Sequence, residues 1–134
     1  MSLPVVREHT DAVVSTLEGY GLTVGAANAP GAEPPYVVVY PIPGGRSMGT
    51  LAAPDDDAVL VYQVTCVGAS RQQAEWVADT ALQLLLGFEV PGRRVCRVSL
   101  DMYGGVQRDD QVTPPIFYST PRFRVISTPA EEES

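Results

Sequence analysis

The stretch DAVLVYQVTCVGASRQQAEWVADTALQLLLG, Asp57 to Gly87, constrains the fold more than any other part of the chain. Between Ala58 and Val67, Leu60, Tyr62, Val64 and Cys66 fall on one face and Val61, Gln63 and Thr65 on the other, the period of a β-strand. Gly68 and Ala69 leave room only for a tight turn. Ser70 with Gln73 three residues on is a capping-box pattern, in which side chains satisfy backbone N–H groups at a helix start. From Arg71 to about Leu86, Ala74, Val77, Ala78, Ala81, Leu82 and Leu85 share one helical stripe. Gly87 supplies a stop.

A strand running through a tight turn into a helix is also where many α/β enzymes hold a nucleophile or a phosphate. A nucleophile elbow needs G-x-S-x-G, because small residues permit the strained turn. Here GASRQ puts Gln72 where the second glycine belongs, so Ser70 reads as a helix cap. GGRSMGTL, starting at Gly44, has glycines spaced like a phosphate loop, but Thr50 follows Gly49 with no lysine between. The nine basic residues are all arginine, which excludes lysine-dependent chemistry outright. A Ser-His-Asp or Cys-His site would have to use His9, the sole histidine. His9 sits among charged residues and reads as a surface or helix-edge side chain. One histidine and two cysteines fall short of the four good ligands of a zinc site. Asp55, Asp56 and Asp57 lack the alternating ligands, glycine and glutamate of a calcium loop. No catalytic, cofactor or metal-ligating set emerges, and Gly68–Ser70 reads as a structural joint.

The rest of the chain supplies a second helix and three more strands. Leu3 to Tyr20 is helical, with Val6, Val13, Leu17 and Tyr20 at helical spacing, Pro4 in the first turn, and Gly19 and Gly21 at the end. Gly25 to Pro35 is a loop by its Gly, Pro and Asn content. Tyr36 to Ile42 is a strand, with Pro41 favouring an edge or the strand's end. Pro43 to Asp57 is a loop far longer than the ~2–5 residues of a hairpin connection. Val95 to Tyr103 alternates Cys96, Val98, Leu100 and Met102 with Arg97, Ser99 and Asp101. Ile116 to Ser127 closes the sheet, with Pro121 marking an edge or bulge. The expected architecture is a single α+β domain over residues 1–134: a four-stranded, mostly antiparallel sheet with two helices packed on it, in the order α-β-β-α-β-β, ending in an acidic tail, 128–134.

Charge separates the remaining function classes. A net charge of -7 argues against binding dominated by phosphates, which needs clustered cations. No apolar run approaches the ~20 residues that span a bilayer, and the N-terminus lacks the pattern of a signal peptide, so a soluble, non-secreted protein is expected. Cys66 and Cys96 lie among apolar strand residues and read as buried and reduced. Two charged groups stand out as interaction candidates. One is the long loop, with Arg46 and Asp55–Asp57; it is either a solvated loop or a deliberate acidic surface. The other is the arginine set Arg93, Arg94, Arg97, Arg122 and Arg124 on or beside strands; it is either an interface or a solvated strand face.

Four segments together resemble the phage tail terminator family of long-tailed phages: REHTDAVVSTLEG, VVVYPI, VLVYQVTCVGASRQQAEWVADTALQLLLG and FYSTPRFRV. The resemblance implies a structural virion protein. It would form a hexameric ring that caps the tail tube, ends its polymerisation and offers the head-joining surface. The partners implied are other copies of itself, the tail-tube protein and a head connector or neck protein, with genome DNA passing through the lumen without specific binding. The location implied is the head-proximal end of the tail, after synthesis in the host cytoplasm, with no membrane, cofactor or catalysis. Under it, Arg94, Arg97, Arg122 and Arg124 and the acidic loops Asp55–Asp57 or Asp109–Asp110 would be interface or lumen residues. A neck, tail-completion or minor tail protein of similar size is the neighbouring alternative. A small-ligand-binding or enzymatic α+β domain, or a non-phage oligomeric adaptor, are the alternatives from other classes.

Overall fold

In the computed structural model, which describes residues 5–26, 31, 33–42, 58–102 and 104–129, one long central strand organises the sheet. The elements are α1 (Val5–Gly19), β1 (Val24–Ala26), β2 (Tyr36–Ile42), β3 (Ala58–Gly68), α2 (Arg71–Leu85), β4 (Arg93–Met102), β5 (Gln107–Asp109), β6 (Ile116–Ser119) and β7 (Arg122–Pro129). β3 pairs antiparallel with β2 along one side, from Val61↔Ile42 to Val67↔Tyr36. Its other side is divided: β7 pairs with Ala58–Gln63, and β6 with Cys66–Gly68. β4 lies outside β7, β5 outside β6, and β1 outside β2.

The α+β class, the two helices and the mostly antiparallel sheet agree with expectation; the strand count and order do not. The described residues form a seven-stranded sheet in the order α-β-β-β-α-β-β-β-β, not four strands in the order α-β-β-α-β-β. β1 is the Val-Gly-Ala of a stretch that begins like a loop, held as a strand only by its parallel pairing to Val37–Val39. β5 lies inside the polar segment after β4 and pairs with β6. The expected last strand is two, because Pro121 has no N–H for the ladder. The Pro121 carbonyl still accepts from the Val64 N–H at 2.9 Å, which carries the pairing across the break. Pro41 is tolerated because it lies beyond the three positions that β1 covers. The final strand runs on to Pro129, so 128 and 129 belong to the sheet and not to the acidic tail.

Both helices end and begin on local chemistry. After α1, the Gly21 N–H donates to Glu18 O (2.9 Å) and the Leu22 N–H to Leu17 O (3.3 Å). With Gly21 at φ 103°, this is a Schellman stop, sealed by buried Leu17 and Leu22. At α2, Ser70 Oγ accepts from the Gln73 N–H at 3.1 Å, the expected cap. Gln73 Oε1 reaches back to the Ala69 N–H at 2.7 Å, one residue before the position expected of it. Gly87 is not among the left-handed glycines; α2 ends instead at Leu86, whose N–H bonds Leu82 O. Gly68 is obligatory, since a Cβ there would stand 2.4 Å from the Ala74 backbone nitrogen.

The core lies between the sheet and the two helices. Val37, Val39, Leu60, Tyr62, Val64, Cys66, Phe123 and Val125 meet Ala12, Val13 and Leu17 of α1 and Val77, Ala81 and Leu85 of α2. Each fully buried Val, Leu or Phe contributes roughly 1.5–3 kcal/mol against exposure. Phe88 and Val90, just after α2, plug the end of this layer. Among the described residues, no helix is long and apolar enough to cross a membrane.

Candidate interaction surface

Strand register sorts the sheet into two unlike faces. Leu60, Tyr62, Val64 and Cys66 point to the helices; Val59, Val61, Gln63, Thr65 and Val67 alternate to the opposite face. On that face, Tyr36, Val67 and Tyr118 form one cross-strand row. Tyr40, Gln63 and Arg122 form the next, and Ile42, Val61, Arg124 and Ser99 a third. Gln63 links the polar members: its Nε2 donates to Thr65 Oγ1 at 3.1 Å, and its Oε1 accepts from Arg122 Nε at 3.4 Å. Val38 and Val67 are buried on this face, outside the helix-side core cluster.

The arginines of the sequence reading come together here. Arg122 and Arg124 stand two residues apart on β7, and the β4 positions pairing that row of β7 are Arg94 (to Thr128), Arg97 (to Ile126) and Ser99 (to Arg124). Arg124 and Arg94 are exposed and Arg122 is half-buried. Arg93 is separated from them: it donates through Nε to Ser127 Oγ (3.1 Å) and through Nη2 to Ser127 O (3.2 Å). Arg46 and Asp55–Asp57 lie outside the described residues. Asp109 and Asp110 are engaged locally: Asp109 Oδ1 accepts from the Gln111 N–H at 2.9 Å, and Asp110 pairs with Arg108 at 2.5 Å. Arg108 also stacks 5.7 Å over Phe117.

The helical side carries the opposite charge. β2, β3 and β7 contain no Asp or Glu, whereas α1, α2 and the loop after α2 carry Glu8, Asp11, Glu18, Glu75, Asp79 and Glu89 against Arg7 and Arg71 only. Both arginines sit in exposed i,i+4 pairs, Arg7–Asp11 at 3.9 Å and Arg71–Glu75 at 3.7 Å. Glu8, Asp11 and Glu89 border one cleft of about 380 Å³ between α1 and the α2–β4 loop. A second cleft, of about 700 Å³, runs along the same loop and the start of β4.

His9 overturns its expected surface placement. It is fully buried, with Nε2 2.6 Å from Ser127 Oγ, and it continues the stripe of Val13 and Leu17. That four-residue spacing was the available signal; the charged neighbours Arg7, Glu8 and Asp11 obscured it. The Ser127–His9 contact has the atoms of a nucleophile pair, but both side chains are 0% exposed, so no substrate reaches them. Its work is to tie α1 to β7. Tyr62, hydrogen-bonded to Thr10 at 3.0 Å, has its phenol pushed up to about 12, chiefly by burial. Burial also pushes the free Cys66 thiol up to about 12, which makes it an inert core residue. Ser119 Oγ is buried without a hydrogen bond. Among the described residues, no group of three or more His, Cys, Asp or Glu could hold a metal ion.

No protein-family model matches the chain, and no curated protein matches it in sequence. Solved structures do match its fold. A chain described as "Virion of native gene transfer agent (GTA) particle" superposes with a TM-score of 0.72 at 16% identity, covering 95% of this chain and 99% of that one. A second solved chain superposes with a TM-score of 0.56 at 21% identity, covering 99% of both. At these identities the likeness is one of fold, and it extends over essentially the whole molecule.

Proposed function

We propose that this chain is a structural virion protein without enzymatic activity and, within that class, a tail terminator. The observation that carries the reading is the end-to-end fold match, TM-score 0.72, to a chain of a gene transfer agent virion. The four segments resembling tail terminators support it independently, since they include both the β3–α2 joint and the arginine-bearing last strand. The working form is a hexameric ring at the head-proximal end of the tail. It stops growth of the tail tube, then offers its other rim to a head connector or neck protein while DNA passes through the lumen. A ring needs a heterologous contact, in which two different patches of each copy meet. Arg94, Arg97, Arg122 and Arg124 belong to one such patch, and Arg46 and Asp55–Asp57 to a loop that meets a neighbour or borders the lumen.

The test is an assembled particle. Electron microscopy of the protein mixed with its tail-tube protein should show a capped tube, and particles lacking the protein should carry overlong or unjoined tails. Tails of normal length that join heads in its absence would exclude the terminator role. A neck or tail-completion protein would instead leave tail length normal and block joining alone.

A further inference from the structure

We propose that the buried trio His9, Ser127 and Arg93 is an acid-operated latch on α1: with His9 neutral it holds the helix on the sheet, and protonation of His9 releases it. The inference goes beyond the terminator reading and does not depend on it.

The latch joins three elements at one oxygen atom. Ser127 Oγ on β7 is 2.6 Å from His9 Nε2 of α1 and accepts from Arg93 Nε of β4 at 3.1 Å, while Arg93 Nη2 donates to Ser127 O at 3.2 Å. A guanidinium can only donate, so the hydroxyl keeps its own proton for the imidazole, which suits a neutral ring accepting through Nε2. A protonated ring donates through Nε2 instead. Ser127 Oγ would then face two cationic donors, and its own proton would need another acceptor where His9 and Ser127 are both fully buried. Two positive charges brought to one oxygen repel far more there than in water.

The surrounding charges do not reverse that sign. On the core side, β1 presents Val24, β2 Val37 and Val39, β7 Phe123 and Val125, and α2 its buried stripe of Ala and Val, none of them charged. β3 presents Tyr62 and Cys66, whose neutral forms burial favours. β4 brings Arg93, with Arg94 exposed beside it. Glu75 and Asp79 lie off the buried stripe of α2. The carboxylates near His9 are Glu8 and Asp11 of its own helix and Glu89 of the next loop, which border a cleft of about 380 Å³. Asp11 and Glu89 are exposed, Glu8 is half-buried, and Asp11 pairs with Arg7 at 3.9 Å. Their attraction acts through an open, screening cleft, whereas Arg93 touches the same atom as His9. α1 takes part in no strand pairing, so it can leave without breaking the sheet. A released ring takes its proton near pH ~6.5 and the docked ring does not, so the hold is complete above about pH 6.5 and is lost as the pH falls below it. Net charge pulls the other way: a chain at -7 repels itself less as its carboxylates are neutralised.

His9 is the sole histidine, so a single imidazole signal in the NMR spectrum of the full chain reports the latch. In the folded chain that signal should show Nε2 as the accepting nitrogen and stay neutral as the pH is lowered from about 7.5 to about 5.5. Over the same range, hydrogen exchange corrected for its intrinsic pH dependence should show the opening of α1 rising about tenfold. The amides of β2 and β3 should still exchange far more slowly than those of α1. His9→Gln, which keeps a polar contact to Ser127 without a titrating ring, should abolish the rise. A folded-state signal that takes its proton near pH ~6.5 with α1 still protected would overturn the latch. So would an equal rise in His9→Gln, which would give the effect to the carboxylates. So would α1 amides that exchange no faster than those of β2 and β3, since the helix would then leave only when the whole molecule unfolds. If His9→Gln does not fold, the wild-type signal and the wild-type exchange decide between the same outcomes.

Discussion

The two halves of β3 live under different rules. Its C-terminal half, Val64 to Gly68, runs straight into α2 through a joint in which each residue has one local task. Gly68 admits the helix backbone, Ser70 caps it, and Gln73 reaches back to accept from the Ala69 N–H. Its N-terminal half, Ala58 to Gln63, has no such neighbour in sequence. It pairs with β2 through Val61–Gln63 and, on its other side, with β7, some sixty residues on, and through β7 with the bulged strand β4, whose register shifts between Val95 and Arg97 and again between Leu100 and Met102. The joint is built by neighbours along the chain, and the wing by neighbours across the sheet. The first kind of structure depends on single residues, above all Gly68; the second depends on which face each residue takes.

The hardest blow to this contrast is at Gly68. Gly68→Ala places a methyl group against the Ala74 backbone, which cannot move without breaking the first turn of α2. The expected loss is about 3 kcal/mol or more, at the upper end of overpacking costs, read as a shift in the urea midpoint. A loss under about 0.5 kcal/mol, the range of an ordinary surface change, would show the joint to be slack.

Alkaline titration separates the halves, because each contains one raised group. Cys66 is raised from 9.0, and Tyr62 from 10.0, both to about 12. The core accepts only the neutral forms. Their contribution is complete below the ordinary value of each group and is lost as pH rises towards about 12. Stability should therefore start to fall near pH 9 from Cys66, with Tyr62 adding a steeper decline above pH 10 that amounts to ~2 kcal/mol. Cys66→Ala should remove the earlier phase and Tyr62→Phe the later one, each measured by denaturant unfolding at fixed pH. A stability flat from pH 8 to 12 in the unmodified chain would mean that neither group is as dry as it looks.

Smallest is the cap. Ser70→Ala should cost about 0.5–2 kcal/mol and leave assembly unchanged wherever the protein folds. A variant that folds normally but does not assemble would give the joint a function beyond its geometry.

What was legible in the sequence follows the same division. The β3–α2 unit, the Ser70 cap, the α1 stop at Gly21 and the two-sided patterning of β3 come from residues within one turn or one pleat of each other, and all of them stand in the fold. β1 and β5 were missed because a three-residue strand has no period to detect; pairing to β2 and β6 makes them strands. Of the candidate surface, the arginines were visible one by one, but their gathering depends on the β4–β7 register and its two bulges. That Tyr40 lines up with Gln63 and Arg122 depends on the β2–β3–β7 register, and only the placement of both helices on the other side sets that face apart from the core. His9 was misplaced because charge in the sequence next to it outweighed its spacing to Val13 and Leu17.

A joint with no slack also has a mechanical meaning. Between Gly68 and Arg71 there is no spare length to take up strain, so a load on α2 passes directly to the end of β3. There it acts along the strand, against seven paired positions on β2 and nine on β6 and β7 (three plus six). Loaded in that direction, the ladder bonds bear force together, whereas a pull across the sheet would open them singly, like a zipper. The helix and its strand are thus one stiff member, suited to a part that has to hold its shape under tension.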